Sequence, residues 1–313
     1  MAQMHWAKQA YLCSILSYPV GYLFVHGVRD DMKFTKLYVS RLAQQPSDHL
    51  SEIFESELLK VNMKRTFNVN LTMTDDLEPK TYGSFVLKPG AEIQLPLRMA
   101  FQDAEGAREL GKAIELDMGI PSSQRKVDIN THLADEMVTR MVLSPAAKHF
   151  AIQREVLRAQ SGTTLITPPV MWCGITSLGY SVVSALSPIL GPITASALMF
   201  AGSIGLFRAV NKAYRANVEK RLDRETIELD PSYIDGARDY LKASMRLGRF
   251  LRKVMAEDGA ATFSETGDSL KSTVKFSTRL SEIENYLRQK EGRPLRRRRG
   301  KQPAIDYNEL SDD

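Results

Sequence analysis

Between Arg158 and Arg208 the chain runs 49 residues without a single Asp, Glu, Lys, Arg or His. With charged residues making up 25% of the chain, a chance gap of that length would arise on the order of once in a million trials. A helix rises 1.5 Å per residue, so about 20 apolar residues cross the roughly 30 Å hydrocarbon layer of a bilayer. The run is too long for one crossing and suits two. Ser187-Pro188-Ile189-Leu190-Gly191-Pro192 lies in its middle, where two prolines and a glycine favour a tight turn over continuous helix. Upstream, Thr167 reads as an N-cap with Pro168 and Pro169 in the first turn, where a missing N–H is harmless. The expected element is a transmembrane helical hairpin with spans near 168–187 and 192–209. A buried helical pair in a soluble protein is the competing reading, but such helices ordinarily carry a solvated charge within that length.

A mean hydropathy of −0.25 conceals this segregation. The chain has 313 residues, 43% of them hydrophobic, and a net charge of +5. That balance is modestly basic and does not call for a nucleic-acid partner. Cys13 and Cys173 sit far apart in apolar segments, a pattern of small apolar residues rather than of a disulfide framework or a zinc site.

The fold class expected is a mostly α membrane protein, with polar regions flanking the hairpin. Residues 1–28 form an N-terminal segment in which Gln9 to Val28 lack Asp, Glu, Lys and Arg. It lacks the cleavage site of a secretory signal and the arginines of a mitochondrial presequence. It reads as a further span, or else as an apolar segment docked on the soluble part. Residues 29–160 read as a small α+β domain. Two helices are expected from Lys33 to Val61, the second capped by Ser47 or Asp48. Strands are expected over 66–73, 82–87 and 91–97, helices over 103–116 and 131–142, and another helix opening at Ser144-Pro145. After the hairpin (161–209), residues 210–290 form a helical region. Arg208, Lys212, Arg215, Lys220 and Arg221 make a basic stem suited to anionic headgroups. An amphipathic helix opens at Asp230-Pro231 with Tyr233, Ala237, Tyr240, Leu241, Ser244, Leu247, Leu251 and Val254 on one face. A loop is expected over 257–272 and a last helix over 278–289. Residues 291–313 form a basic and acidic tail in which Arg296, Arg297, Arg298 and Arg299 are candidates for binding anionic lipid or another polyanion; a solvated tail is the plain alternative.

Within the spans, Ser177, Ser181 and Ala185 recur at four-residue spacing, as do Ala197, Ala201 and Gly205. Small residues on one helix face allow close approach, which drives association in lipid. These six are the candidate partner-binding residues. The sequence contains no GxxxxGK[ST], GxGxxG after a strand, HExxH or GxSxG. His132 with Asp135 and Glu136 is the nearest approach to a ligand cluster, and an ordinary helix surface explains it better than a metal site. The spans carry no ionisable residue of the kind transporters use. The chain therefore reads as an anchor without catalytic residues, metal or cofactor.

The stretch Leu143-Ser144-Pro145-Ala146-Ala147-Lys148-His149-Phe150-Ala151-Ile152-Gln153-Arg154-Glu155-Val156, with Ser161-Gly162-Thr163-Thr164 after it, resembles the segment before the hairpin in the transmembrane protein 177 family. Val218-Glu219-Lys220-Arg221-Leu222-Asp223-Arg224, the segment Tyr233 to Leu241, and the turns at Asp258-Gly259 and Thr266-Gly267 are similar to that family's post-hairpin region. The resemblance covers about residues 140 to 270 and rests on order and spacing. It implies a multi-pass protein of the mitochondrial inner membrane, acting in assembly of cytochrome c oxidase. The implied partners are newly made oxidase subunit II and that subunit's small membrane chaperone, alongside membrane lipid. A structural or membrane-shaping hairpin protein is the alternative. Basic residues crowd both hairpin flanks and none lies at the tip, so the positive-inside rule puts both polar regions on the matrix side.

Overall fold

The computed structural model describes residues 2–27, 45–61, 69–74, 76–87, 90–113, 132–290 and 292. The helix expected from Lys33 and the Arg296–Arg299 cluster lie outside the described residues.

The hairpin is present, and it is longer than expected. Helix α6 (Thr163–Leu190, 28 residues) and helix α7 (Pro192–Leu229, 38 residues) meet at Gly191, whose φ of 78° only glycine adopts readily. The break is thus one residue, not a six-residue turn. Helix α6 starts at Thr163 rather than after Thr167, because Gly162 in the left-handed region (φ 60°) ends the preceding helix and starts this one. Pro168 and Pro169 therefore lie inside α6. Helix α7 continues without a break from the apolar run through the basic stem.

An N-terminal helix, α1 (Ala2–Gly27), packs along both, antiparallel to α6. Its Tyr22 end reaches Thr164 at the foot of the hairpin, and its Trp6 end lies by Ile193 and Ala197 at the tip. Large apolar side chains point outward from this bundle, including Leu12, Leu16 and Val20 of α1, Leu178 and Val182 of α6, and Leu198 and Leu206 of α7. Helices α6 and α7 are each long and apolar enough to cross a bilayer, yet only 22% of the most apolar stretch of each is buried. A soluble core helix would bury that surface. Lipid is the solvent that suits it.

The polar part has one apolar core shared by residues from both sides of the hairpin, from Leu50 to Ile283. Helix α5 (Pro145–Ser161) is capped by Ser144, whose Oγ accepts from Ala147 N, and packs against α8 (Ser232–Val254). The two approach closely at Gly236, where a Cβ would collide with the Ala146 backbone. Helix α8 buries the expected stripe, Tyr233, Ala237, Tyr240, Leu241, Ser244, Leu247 and Leu251. Helix α2 (Asp48–Lys60) is capped by Ser47. Helices α3 (Ala104–Ala113) and α4 (His132–Met141) complete this side.

Strands β1 (Val69–Thr74), β2 (Lys80–Gly83) and β3 (Ala91–Pro96) form a sheet of order β1-β3-β2, with β1 parallel and β2 antiparallel to β3. The strand expected at 82–87 is displaced toward the N-terminus. Gly83 takes a φ of 71° and ends β2, and the following turn docks on the end of α5 through Phe85 N and Ser84 Oγ, both donating to Ala159 O. The loop expected at 257–272 contains a short helix, α9 (Ala256–Thr262), before its turns. Three consecutive small residues, Gly259, Ala260 and Ala261, gave no apolar period to reveal it. Helix α10 (Phe276–Lys290) closes the polar part.

Candidate functional site: the membrane bundle and its foot

The seam joining α1, α6 and α7 does not use the stripes the spacing picked out. It is built from Trp172, Thr176, Gly179, Val183 and Ser187 of α6 with Ala195, Ser203 and Phe207 of α7. Tyr11 of α1 enters at Gly179, its hydroxyl donating to Thr176 O (3.1 Å) and lying 3.3 Å from Ser203 Oγ. Around Tyr18 the rings of Trp172 (5.3 Å) and Phe207 (4.9 Å) pack closely. Ser177, Ser181, Ala185, Ala197, Ala201 and Gly205 are all exposed on the outside of the bundle. A Cβ on Gly205 would meet nothing within 4 Å. The four-residue spacing of small side chains occurs on both faces, and only the identity of the third helix selects which face is inside.

Two prolines explain the bracing of α1. Pro19 and Pro168 lack the N–H that would bond the carbonyls four residues earlier, Ile15 and Thr164. Each orphaned carbonyl receives a donor from the opposite helix. Trp172 Nε1 donates to Ile15 O at 3.0 Å, and Tyr22 Oη donates to Thr164 O at 2.7 Å. At the mid-bundle depth of Ile15 no water would do this inside a bilayer, so the neighbouring helix must.

At the foot, where α7 leaves the apolar zone, a buried ionic cluster locks α5, α7 and α10 together. Arg154, 4% exposed, donates to Asp223 (2.7 Å), Glu155 (2.8 Å) and Glu219. Arg158 donates to Glu155 and Glu219 (2.9 and 2.8 Å), and Arg279 donates twice to Asp223 at 2.7 Å. Burial alone would raise the Glu219 carboxyl, but Arg154 and Arg158 outweigh it and hold the group well below the usual carboxylate range. Burial pushes Glu78, beside Arg279, upward.

Between this cluster and the bundle lies a cavity of ≈ 370 Å³. Tyr22, Thr164, Pro168, Tyr214 and Arg215 line its membrane side, and Glu78, Lys80, Arg158, Glu219 and Lys271 its polar side. A second, apolar cleft of ≈ 230 Å³ opens between α1 and α7 near the tip, and Ala197 is in its wall.

A further polar cluster escaped the sequence reading. Glu57, fully buried, lies 2.6 Å from His149 Nδ1 and 2.7 Å from Lys60 Nζ, and accepts from the Tyr233 hydroxyl. His149 and Tyr233 are 92 and 176 residues from Glu57 in sequence, so no local motif marks them. Both Glu57 oxygens are engaged, and the cluster pins α2, α5 and α8 together. Asp135 and Glu136 pair instead with Arg108 and Arg140, and no group of three metal-ligating side chains exists among the described residues. Cys13 and Cys173 are both free thiols.

The hairpin, the helices around it and the order of the flanking segments decide the comparison with known families. The family model described as transmembrane protein 177 matches residues 8–292. The chain belongs to the transmembrane protein 177 family. The match takes in α1, the sheet, the hairpin and the helices through α10, well beyond the 140–270 stretch whose motifs carry the resemblance. It also agrees with the membrane character of the two apolar helices. Comparison with curated proteins and with solved structures returned no match.

Proposed function

We propose that this member of the family is a non-catalytic, multi-pass assembly factor of the mitochondrial inner membrane, stabilising newly made cytochrome c oxidase subunit II together with its small membrane chaperone. The observation that carries the reading is the outward face of the bundle. Ser177, Ser181 and Ala185 on α6 and Ala197, Ala201 and Gly205 on α7 are exposed, while a different set of small residues is spent on the bundle's own seam. Exposed small residues at four-residue spacing suit the close approach of another transmembrane helix. Helix α1, antiparallel to α6 and outwardly apolar, acts as a third crossing, which sets the N-terminus at the hairpin tip and away from the polar part. By the positive-inside rule, the basic stem favours the matrix side for the polar part.

The test is a pull-down of the tagged protein from digitonin-solubilised mitochondria, with the eluate identified by mass spectrometry. Subunit II and its chaperone are the expected co-purifying proteins. Replacing Ala201 and Gly205 by leucine is expected to cut their recovery at least severalfold while the bundle stays folded, since neither side chain enters the seam. Recovery of neither protein from a mitochondrial sample leaves a structural hairpin and sinks the assembly reading.

A further inference from the structure

The cavity at the foot of the bundle has features the assembly role does not use. It lies at the level where the apolar exterior ends. Thr164 and Pro168 belong to the first two turns of α6, Tyr22 to the last turns of α1, and Arg215 comes two turns after Phe207 on α7. That is the depth of lipid headgroups on the side of the polar part. At the same depth along α1 and α6, Leu23, Ile166 and Val170 are exposed apolar side chains.

Its charge is unbalanced. Five cationic side chains line it, Lys80, Arg154, Arg158, Arg215 and Lys271, against the carboxylates of Glu78 and Glu219. Arg154 and Arg158 are neutralised by Glu219 together with Glu155 and Asp223, Glu78 lies by Arg279, and Lys80 is paired with Asp76. Arg215 and Lys271, both exposed, make no ion pair among the described residues, and Thr273 adds a hydroxyl to the lining, while Ser272 donates its own to Glu78. Two unneutralised cations lining one pocket at headgroup depth suit the phosphate of an anionic lipid. The volume falls at the lower end for small-ligand pockets. It accommodates a headgroup and leaves the chains outside.

We infer that this cavity binds the phosphate headgroup of an anionic glycerophospholipid between Arg215 and Lys271, with its acyl chains in the surrounding lipid. The proposed site uses none of the tail residues Arg296–Arg299. Its occupant would bridge the bundle to the polar part at the mouth of the ionic cluster, and so tie the fold to membranes rich in anionic lipid.

Native mass spectrometry of the delipidated full-length protein in detergent tests this without any protein partner, so its outcome is independent of the assembly role. The protein carries Arg296–Arg299→Gln throughout, to remove the tail as a binder, and is titrated with phosphatidylglycerol, phosphatidylcholine or glycerol phosphate. Phosphatidylglycerol is expected to bind well ahead of phosphatidylcholine. Adding R215Q and K271Q is expected to weaken it about thirtyfold, roughly fivefold for each cation lost near a membrane surface. Arg215→Lys should restore most of the affinity, and thermal unfolding in detergent should show that the glutamine variants remain folded. Equal binding of the two lipids, or unchanged binding in R215Q/K271Q, overturns the site. Tight binding of glycerol phosphate alone would make the ligand a soluble phosphate ester and overturn the lipid assignment.

Discussion

Asp223 accepts three guanidinium hydrogen bonds, one from Arg154 and two from Arg279, in a position 2% exposed. Removing one partner of such a buried set leaves the others charged and unpaired, which costs about 3–5 kcal/mol. Asp223→Ala is therefore expected to lose that much stability by denaturant or thermal unfolding. The nearby pair Lys220–Glu282, at 2.6 Å, has side chains 34% and 45% exposed. Water screens it, so Lys220→Ala is expected to cost less than about 1 kcal/mol. Distance is the same in both cases, and burial decides. A loss for Asp223→Ala no larger than that for Lys220→Ala would mean the cluster does not hold the foot together. Neither residue's role was visible in sequence, because a carboxylate in a charged helix looks alike whether it faces solvent or two arginines.

Helix α1 shows how an element is held by its own defects. Its Pro19 and the Pro168 of α6 each release a carbonyl, and Trp172 and Tyr22 each cap the carbonyl on the partner helix. Interhelical hydrogen bonds of this kind contribute about 1–2 kcal/mol in membrane peptides. Y22F keeps its ring and deletes only the donor, while W172F deletes the donor and trims part of the ring packing. The double variant is expected to raise amide hydrogen exchange along α1 in nanodiscs while α7 keeps wild-type protection. Wild-type exchange in α1 would show that ring packing alone holds it. Gly179 offers an independent route to the same helix: a Cβ there would collide with the Tyr11 hydroxyl and come within 2.8 Å of Ser203 Oγ. The hairpin itself was legible from its charge gap. The start of α6 was not, since Pro168, read as a first-turn residue, sits inside the helix with its released carbonyl on a donor from α1.

The whole molecule joins a lipid-facing bundle to a polar body through α5 and the unbroken α7, and the ionic cluster sits at that joint. Glu219, with its folded pKa held below the unfolded value of about 4.3, contributes stability that is present above that pH. The contribution is lost as pH falls through the depressed folded value. Glu78, raised by burial, acts with the opposite sign as pH rises through about 4.3. The useful comparison is thus wild type against E219Q. Thermal unfolding from pH 6 down to pH 3, followed through the aromatic circular dichroism, should fall more steeply for wild type than for E219Q. Parallel curves would place the acid sensitivity elsewhere.

What the sequence determined by itself was whatever depends on local pattern. The uncharged run dictated a hairpin, the Ser144-Pro145 cap and the Ser47-Asp48 pair marked helix starts, and the α8 stripe named its buried face, because periodicity and capping act over a few residues. Family membership was legible in the same way, from the order of short segments. Tertiary structure alone decided which small residues line the seam, which proline carbonyls find a donor, and that Arg154, Glu219, Asp223 and Arg279 meet at the foot. Those outcomes depend on contacts between positions tens to hundreds of residues apart. A helix presents several acceptable faces, and only packing against a third element makes one of them the inside.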